Sequence, residues 1–188
     1  MIIGITGTDG AGKGMAVEYL VASKGFVHCS ARAIWEEEFA KRGIENKREN
    51  MRLVANELRA LHGNDFLVTY YLKKIEAEHI KNAIIESIRT IDEAKTLHSN
   101  DGVLIAIDAD VTVRYERIKN RGLATDTVSY EEFVVQEALE MNDPNPHGMQ
   151  KAKVMEMADY TITNNTSPED LHAQVDVVLE QLAHNNTH

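Results

Sequence analysis

The chain has 188 residues with 30 Asp and Glu against 20 Lys and Arg, and its formal net charge of −10 excludes a basic protein that coats nucleic acid. With 43% hydrophobic residues, 11 Gly and 3 Pro it can bury a core, is neither disordered nor collagen-like, and reads as one domain over residues 1–188. No apolar stretch approaches the roughly 20 residues of a bilayer span and the start MIIGITG shows no basic leader, so no membrane partner is expected and a cytoplasmic location is.

Ile2 to Thr6 is a short apolar run suited to a buried parallel strand, and the stretch Gly7 to Gly12 is too glycine-rich to continue it. From Lys13 to Ser23, Met15, Val17, Leu20 and Val21 recur at helical spacing, and Gly25 sits where a helix stops. Gly7-Thr8-Asp9-Gly10-Ala11-Gly12-Lys13 therefore fits the phosphate-binding pattern G-x-x-x-x-G-K in its required setting, strand before and helix after. Backbone N–H groups of such a loop, with the positive end of the following helix, wrap the phosphates of a nucleotide, and glycines allow the torsions and the close approach. Lys13 is expected to bridge the terminal phosphates. Most such loops place Ser or Thr after the lysine as a magnesium ligand, whereas here Gly14 and then Met15 follow. Mg2+ is expected with the ATP but has no assigned ligand; water, phosphate oxygens and Glu86 or Asp108 are the candidates. The Gly-Lys-Gly sequence resembles the loop of the adenylate kinase group of nucleoside monophosphate kinases, and Asp9 to Lys13 looks like the loop of thymidylate kinases. In the latter an acid at the position of Asp9 approaches the sugar of the acceptor.

Phe26 to Cys29 reads as a second strand, with the single Cys29 as a buried thiol rather than a nucleophile, since one cysteine cannot form an internal disulfide. Ala31 to Lys41 is helical and closed by Gly43, and a helical zone from Lys47 to His79 is interrupted at Gly63-Asn64-Asp65. The resemblance implies that residues 31–80 bind the acceptor. Arg32, Arg52 and Arg59 are the acceptor-site candidates, the alternative being helix-surface charges paired with Glu36, Glu49 or Glu57. Trp35, Phe66, Leu67, Tyr70 and Tyr71 fit core packing better than stacking on a base.

Ala83 to Ser87 and Val103 to Ile107 are two further buried strands around a helix from Asp92 to His98. Glu86-Ser-Ile-Arg89-Thr-Ile-Asp-Glu-Ala-Lys-Thr-Leu97 resembles the stretch of adenylate kinases whose arginine grips the acceptor phosphate, a role this implies for Arg89. A guanidinium fork suits phosphate at the carboxyl end of a strand. Val111 to Asn120 is helical, with Arg114, Arg117 and Arg121 at spacings of three and four on one face. The resemblance implies that Arg117 and Arg121 stack on the donor base and neutralise its phosphates; a solvated charged stripe is the alternative.

No arginine follows Arg121, and residues 122–188 hold Lys151 and Lys153 against 12 acids. Residues 122–150 begin with a polar loop, continue as a helix from Tyr130 to Met141 and break at Asp143-Pro-Asn-Pro146; they form a lid-like region. A helix over 150–157, a strand from Tyr160 to Thr163 and a helix capped by Ser167 and running to Leu182 close the chain. The turn at Asn164-Asn165 is similar to that of dephospho-CoA kinases, where backbone meets the adenine, so Asn165 joins the expected cofactor contacts. The eight histidines show no metal-ligand spacing.

Five strands alternating with helices imply one doubly wound parallel sheet. The resemblance covers nearly the whole chain. It implies a P-loop kinase fold and transfer of the γ-phosphate of ATP to a nucleoside or deoxynucleoside monophosphate, by a monomer or homodimer. Lys13, Arg89, Arg117 and Arg121 would surround the moving phosphoryl group, and Asp9 would serve as base if the acceptor offers a hydroxyl. A dephospho-CoA kinase-like enzyme and a nucleotide-binding regulator with little turnover are the alternatives.

Overall fold

The computed structural model of the chain describes residues 1–45, 47–122 and 128–185. Strands β1 (Ile2–Gly7), β2 (Val27–Cys29), β3 (Ala83–Glu86), β4 (Val103–Asp108) and β5 (Tyr160–Thr163) form one sheet in the order β2-β3-β1-β4-β5, every pair parallel. The loop-bearing strand β1 lies between β3 and β4, with Ile3 beside Ile84 and Val103. This is the doubly wound α/β arrangement that alternating short apolar runs and helices dictate.

Helices α1 (Lys13–Lys24), α2 (Ala31–Arg42), α3 (Arg48–His62), α4 (Phe66–Ala77), α5 (Ile91–His98), α6 (Val111–Arg121), α7 (Tyr130–Met141), α8 (Lys151–Glu156) and α9 (Pro168–Asn185) connect and cover the strands. Because successive strand residues point to opposite faces, Ile84 joins one core and Ile85 the other, as do Ile105 and Leu104. On one face Ile3, Ile5, Ile84, Ile105 and Ile107 meet Val17 and Leu20 of α1 and Leu171, Val175 and Val178 of α9. On the other, Ile85 and Leu104 meet Leu97 of α5, Val154 of α8 and the inserted helices α2 to α4, which supply Trp35, Phe39, Leu58, Leu67 and Tyr71. Trp35, Leu67 and Tyr71 are thus core residues, as the composition of that stretch suggests.

Element boundaries move by a residue or two from those expected. Strand β2 starts at Val27, with Phe26 buried just ahead of it, and α9 continues past Leu182 to Asn185. Gly25 and Gly43 end α1 and α2 in the left-handed conformation, at φ 70° and 64°. Within residues 122–150 α7 forms as expected, while residues 123–127 of the polar loop lie outside the described residues. No helix among the described residues is long and apolar enough to cross a membrane.

One junction ties the inserted helices to the body. Asn64, in the turn between α3 and α4, accepts from the Thr90 hydroxyl through its carbonyl (2.7 Å) and donates its amide to Pro146 O (3.1 Å). Its Oδ1 stands 2.9 Å from His147 Nδ1.

Candidate functional site

The site begins at the end of β1. Gly7 (φ 130°) passes so close to β4 that a Cβ there would stand 1.9 Å from Ile107 O, and Gly12 (φ 101°) lies against Asn164, whose Nδ2 would be 2.4 Å from such a Cβ. Only glycine fits these two places, which is why the loop carries them. Asn164 donates its amide to Ala11 O at 2.8 Å and so holds the loop from the turn after β5. The Thr8 hydroxyl donates to Asp108 Oδ1 at 2.5 Å, fastening the loop to the end of β4. Gly12 then caps α1, whose first turn carries no acid to oppose an anion. Gly14 and Met15 are exposed in that turn, and a Cβ on Gly14 would meet nothing within 4 Å.

Lys13 folds over its own loop, donating to Gly7 O at 3.0 Å and Thr8 O at 2.6 Å, with Asp9 Oδ1 at 3.5 Å. Burial lowers its ammonium pKa to about 8, with the Asp9 carboxylate working against that shift and the charges of Lys151 and Arg89 adding to it. Asp9 Oδ1 also lies 3.3 Å from the ammonium of Lys151, which donates to Glu140 Oε2 at 2.8 Å. Arg89 stands 3.9 Å from that same Glu140 oxygen and points its Nη1 at Met149 Sδ, 3.0 Å away. Three cations and two carboxylates from four separate segments, one of them the glycine loop itself, thus converge at this place.

Arg89 is delivered by an unusual bend. Ser87 adopts a positive φ of 66°, Ile88 turns into the core, and its carbonyl accepts from the buried Thr6 hydroxyl at 2.8 Å. The Arg89 and Thr90 N–H groups then donate to Glu93 Oε2, at 2.6 and 3.0 Å, in a capping box that starts α5.

The three arginines of α6 part company. Arg114 is buried: it donates to Ala109 O (2.7 Å) and Asp9 O (3.3 Å), and its two terminal nitrogens grip the Glu137 carboxylate, one of them at 3.0 Å. Arg117 reaches the turn after β5, donating to Asn164 O at 2.8 Å and Thr166 O at 3.2 Å, and Arg121 is exposed at the end of the helix. Asn165 Oδ1 accepts from Asp110 N at 2.7 Å and so joins that turn to the start of α6.

Of the three arginines expected at the acceptor, Arg32 is exposed on α2, Arg52 is half-buried on α3, and Arg59 is buried 3.6 Å from Glu93. The three thus differ in burial. At the ends of β2 and β3, Glu86 accepts from the Ser30 hydroxyl at 3.0 Å and lies 3.3 Å from His28 Nε2. Burial pushes its carboxyl up, but the hydrogen bonds of His28 and Ser30 outweigh this and hold it below the usual carboxylate range.

No group of three or more His, Cys, Asp or Glu among the described residues could hold a metal on its own. Glu86 ends β3 and Asp108 ends β4, on either side of β1. These residues fit an ion that arrives with a nucleotide and keeps its waters and phosphate oxygens, as Mg2+ does, rather than one caged by protein.

Sequence reasoning missed the carboxylates Glu137 and Glu140, three residues apart on one face of α7, and the buried state of Arg114 and Lys151. The glycine loop and the Thr90-x-x-Glu93 spacing were readable signals for the positions around them; the Ser129-x-x-Glu132 capping box marks the start of α7 but does not point to Glu137 or Glu140.

The family model described as "AAA domain" matches residues 3–143. The UPF0200 protein MJ1399 of Methanocaldococcus jannaschii is 34% identical over 190 residues, covering 98% of this chain and 92% of that protein. Among solved structures, TT1252 from Thermus thermophilus superposes with a TM-score of 0.60 at 25% identity, over 97% of both chains. The dephospho-CoA kinase from Campylobacter jejuni gives a TM-score of 0.56 at 15% identity over 98% of both chains, a likeness of fold. The chain belongs to the UPF0200 family of AAA-domain proteins and has the fold of the P-loop nucleotide kinase superfamily.

Proposed function

We propose that this protein is a phosphotransferase that moves the γ-phosphate of ATP, bound with Mg2+, to a nucleoside or deoxynucleoside monophosphate. The observation that carries the reading is the convergence of Lys13, from the glycine loop, and Arg89, from the end of β3, on one cluster of charges. The loop from Gly7 to Met15 supplies donors and a helix start for the nucleotide phosphates. Lys13 takes their terminal end, and Arg117 with the turn at Asn164 and Asn165 borders the place of the base. Arg89 takes the phosphate of the acceptor, with Arg52 and Arg32 farther along the inserted helices and Arg121 at the rim. Glu86 and Asp108 would hold a nucleotide-borne Mg2+, which would neutralise developing charge. A monophosphate acceptor attacks with its own oxygen and needs no strong base; the task of the chain is to align the two phosphates and offset their charge.

A second reading, a nucleotide-binding regulator with little turnover, is favoured by Gly14 and Met15, which offer no hydroxyl after Lys13. One experiment separates them. The protein is incubated with Mg-ATP and a panel of ribo- and deoxynucleoside monophosphates together with dephospho-CoA, and ADP formation is followed above the acceptor-free background. Stimulation by one monophosphate supports the kinase and names its substrate; stimulation by dephospho-CoA alone replaces the acceptor class. No stimulation, with ATP binding that Lys13→Ala abolishes, favours the regulator.

A further inference from the structure

The ammonium of Lys151 is among the most buried polar groups of the molecule, with the residue 1% exposed. Taking such a charge out of water is expensive unless it is paired, and here it sits between Glu140 Oε2 at 2.8 Å and Asp9 Oδ1 at 3.3 Å. Its backbone is anchored to the body of the fold. Lys151 opens α8, which is held to the body by Val154, wholly buried in the core, and by Gln150 N, which donates to Arg89 O at 2.8 Å. Its position relative to a nucleotide follows from Lys13. The lysine of a glycine loop reaches the β- and γ-phosphates, and Lys151 shares with Lys13 one carboxylate oxygen, Asp9 Oδ1. Lys151 therefore stands at the phosphate end of the site.

We propose that Lys151 is a phosphate-contacting residue, which takes the outermost phosphate of a loop-bound nucleotide in exchange for Glu140. The proposal rests on the nucleotide site argued above. It assigns to a fixed lysine of the core the charge that a chain without arginine after Arg121 cannot bring from its lid-like region. Glu140, set between Lys151 and Arg89, acts as an internal counter-anion that keeps both cations in place and competes with phosphate for them. A purely structural ion pair makes a different prediction: its loss would weaken the fold without altering the preference among nucleotides.

The test measures the affinities of the full chain for ATP and ADP by titration calorimetry, in wild type, Lys151→Met and Lys153→Met. Lys153 lies on the exposed side of the same short helix and carries the same charge change. The expected result is that the preference for ATP over ADP falls by about tenfold in Lys151→Met, the worth of one charge-assisted hydrogen bond, and is unchanged in Lys153→Met. An unchanged preference in a folded Lys151→Met, with wild type binding both nucleotides, overturns the proposal alone. A wild type that binds neither overturns the nucleotide site beneath it as well. If Lys151→Met does not fold, Glu140→Gln decides the matter with inorganic tripolyphosphate as the probe. Affinity that rises by about threefold or more supports the exchange, and unchanged or weaker affinity overturns it.

Discussion

Arg59 Nε stands 3.6 Å from Glu93 Oε1, and both atoms are buried without a hydrogen-bond partner among the described residues. The two charges attract each other across the junction of α3 and α5 without the directional bond that would make the pair strong on its own. The Arg59 Nη1 donates instead to Asn56 Oδ1 and His147 O, both at 3.4 Å, and the other Glu93 oxygen accepts the N–H groups of Arg89 and Thr90. Glu93→Ala removes a helix cap and strands a buried guanidinium together, so it is expected to cost about 3 kcal/mol or more in urea unfolding. Arg59→Met, which leaves Glu93 with its two backbone donors, is expected to cost less.

The pH dependence of Lys13 has two opposite faces. Burial brings its folded-state pKa from 10.5 down to about 8, with Asp9 opposing the shift. Between those values the unfolded chain holds a proton that the folded one has released, so the contribution of this group to stability rises with pH across that window. Anion binding uses the charged form, so ATP affinity is expected to fall by up to about tenfold per pH unit above pH 8. Calorimetric titrations on both sides of that pH check it; a flat profile would mean that Lys13 keeps its proton.

Gly14 has no steric reason to be glycine, since a Cβ there meets nothing within 4 Å and the residue lies inside α1. Gly14→Ser is expected to stabilise the protein by about 0.5 kcal/mol through helix propensity, seen as a raised Tm. It also restores a hydroxyl beside the nucleotide phosphates. The Mg2+ concentration for half-maximal ATP binding is expected to fall relative to wild type.

The buried Arg114 pairs with the half-buried Glu137 and also holds the backbone of the loop through Asp9 O. Arg114→Ala leaves the half-buried Glu137 carboxylate without its partner and is expected to destabilise by about 2 kcal/mol. In a double-mutant cycle with Glu137→Ala the losses are expected to be strongly non-additive. The same variant loosens the loop, so its ATP affinity is expected to drop even where the fold survives.

Cys29 is buried at 2% exposure, and that burial pushes its thiol up to about 11, with Lys74 opposing. The native protein is expected to ignore a thiol reagent at neutral pH and to react once per chain in denaturant. Fast labelling of the native form would contradict the packing of β2 beneath α4.

The parts of this molecule that rest on local rules were legible from the residues. The loop declared itself because glycine spacing, Lys13 and the flanking strand and helix are contiguous in sequence; the strands did so through short apolar runs that two-sided burial demands. Helix ends followed from Gly25, Gly43 and Ser167. What the residues could not announce were pairs made across the fold. Arg114, Arg117 and Arg121 share a spacing, yet Glu137 draws the first into the interior while the second turns to the carbonyls after β5. Arg59 and Arg52 look alike on α3, and only the approach of α5 distinguishes them. Lys151 stands between carboxylates from the loop and from α7 that are 142 and 11 residues away in sequence.

Trp35 is the one tryptophan of the chain, and it is packed at 9% exposure among the helices inserted between β2 and β3, one turn from Arg32. Its emission is therefore an optical reporter confined to that half of the molecule. A ligand that rearranges α2 to α4 changes the fluorescence, whereas one that settles on the glycine loop alone leaves it untouched. The two halves of the proposed two-substrate site can thus be followed separately in an unlabelled protein.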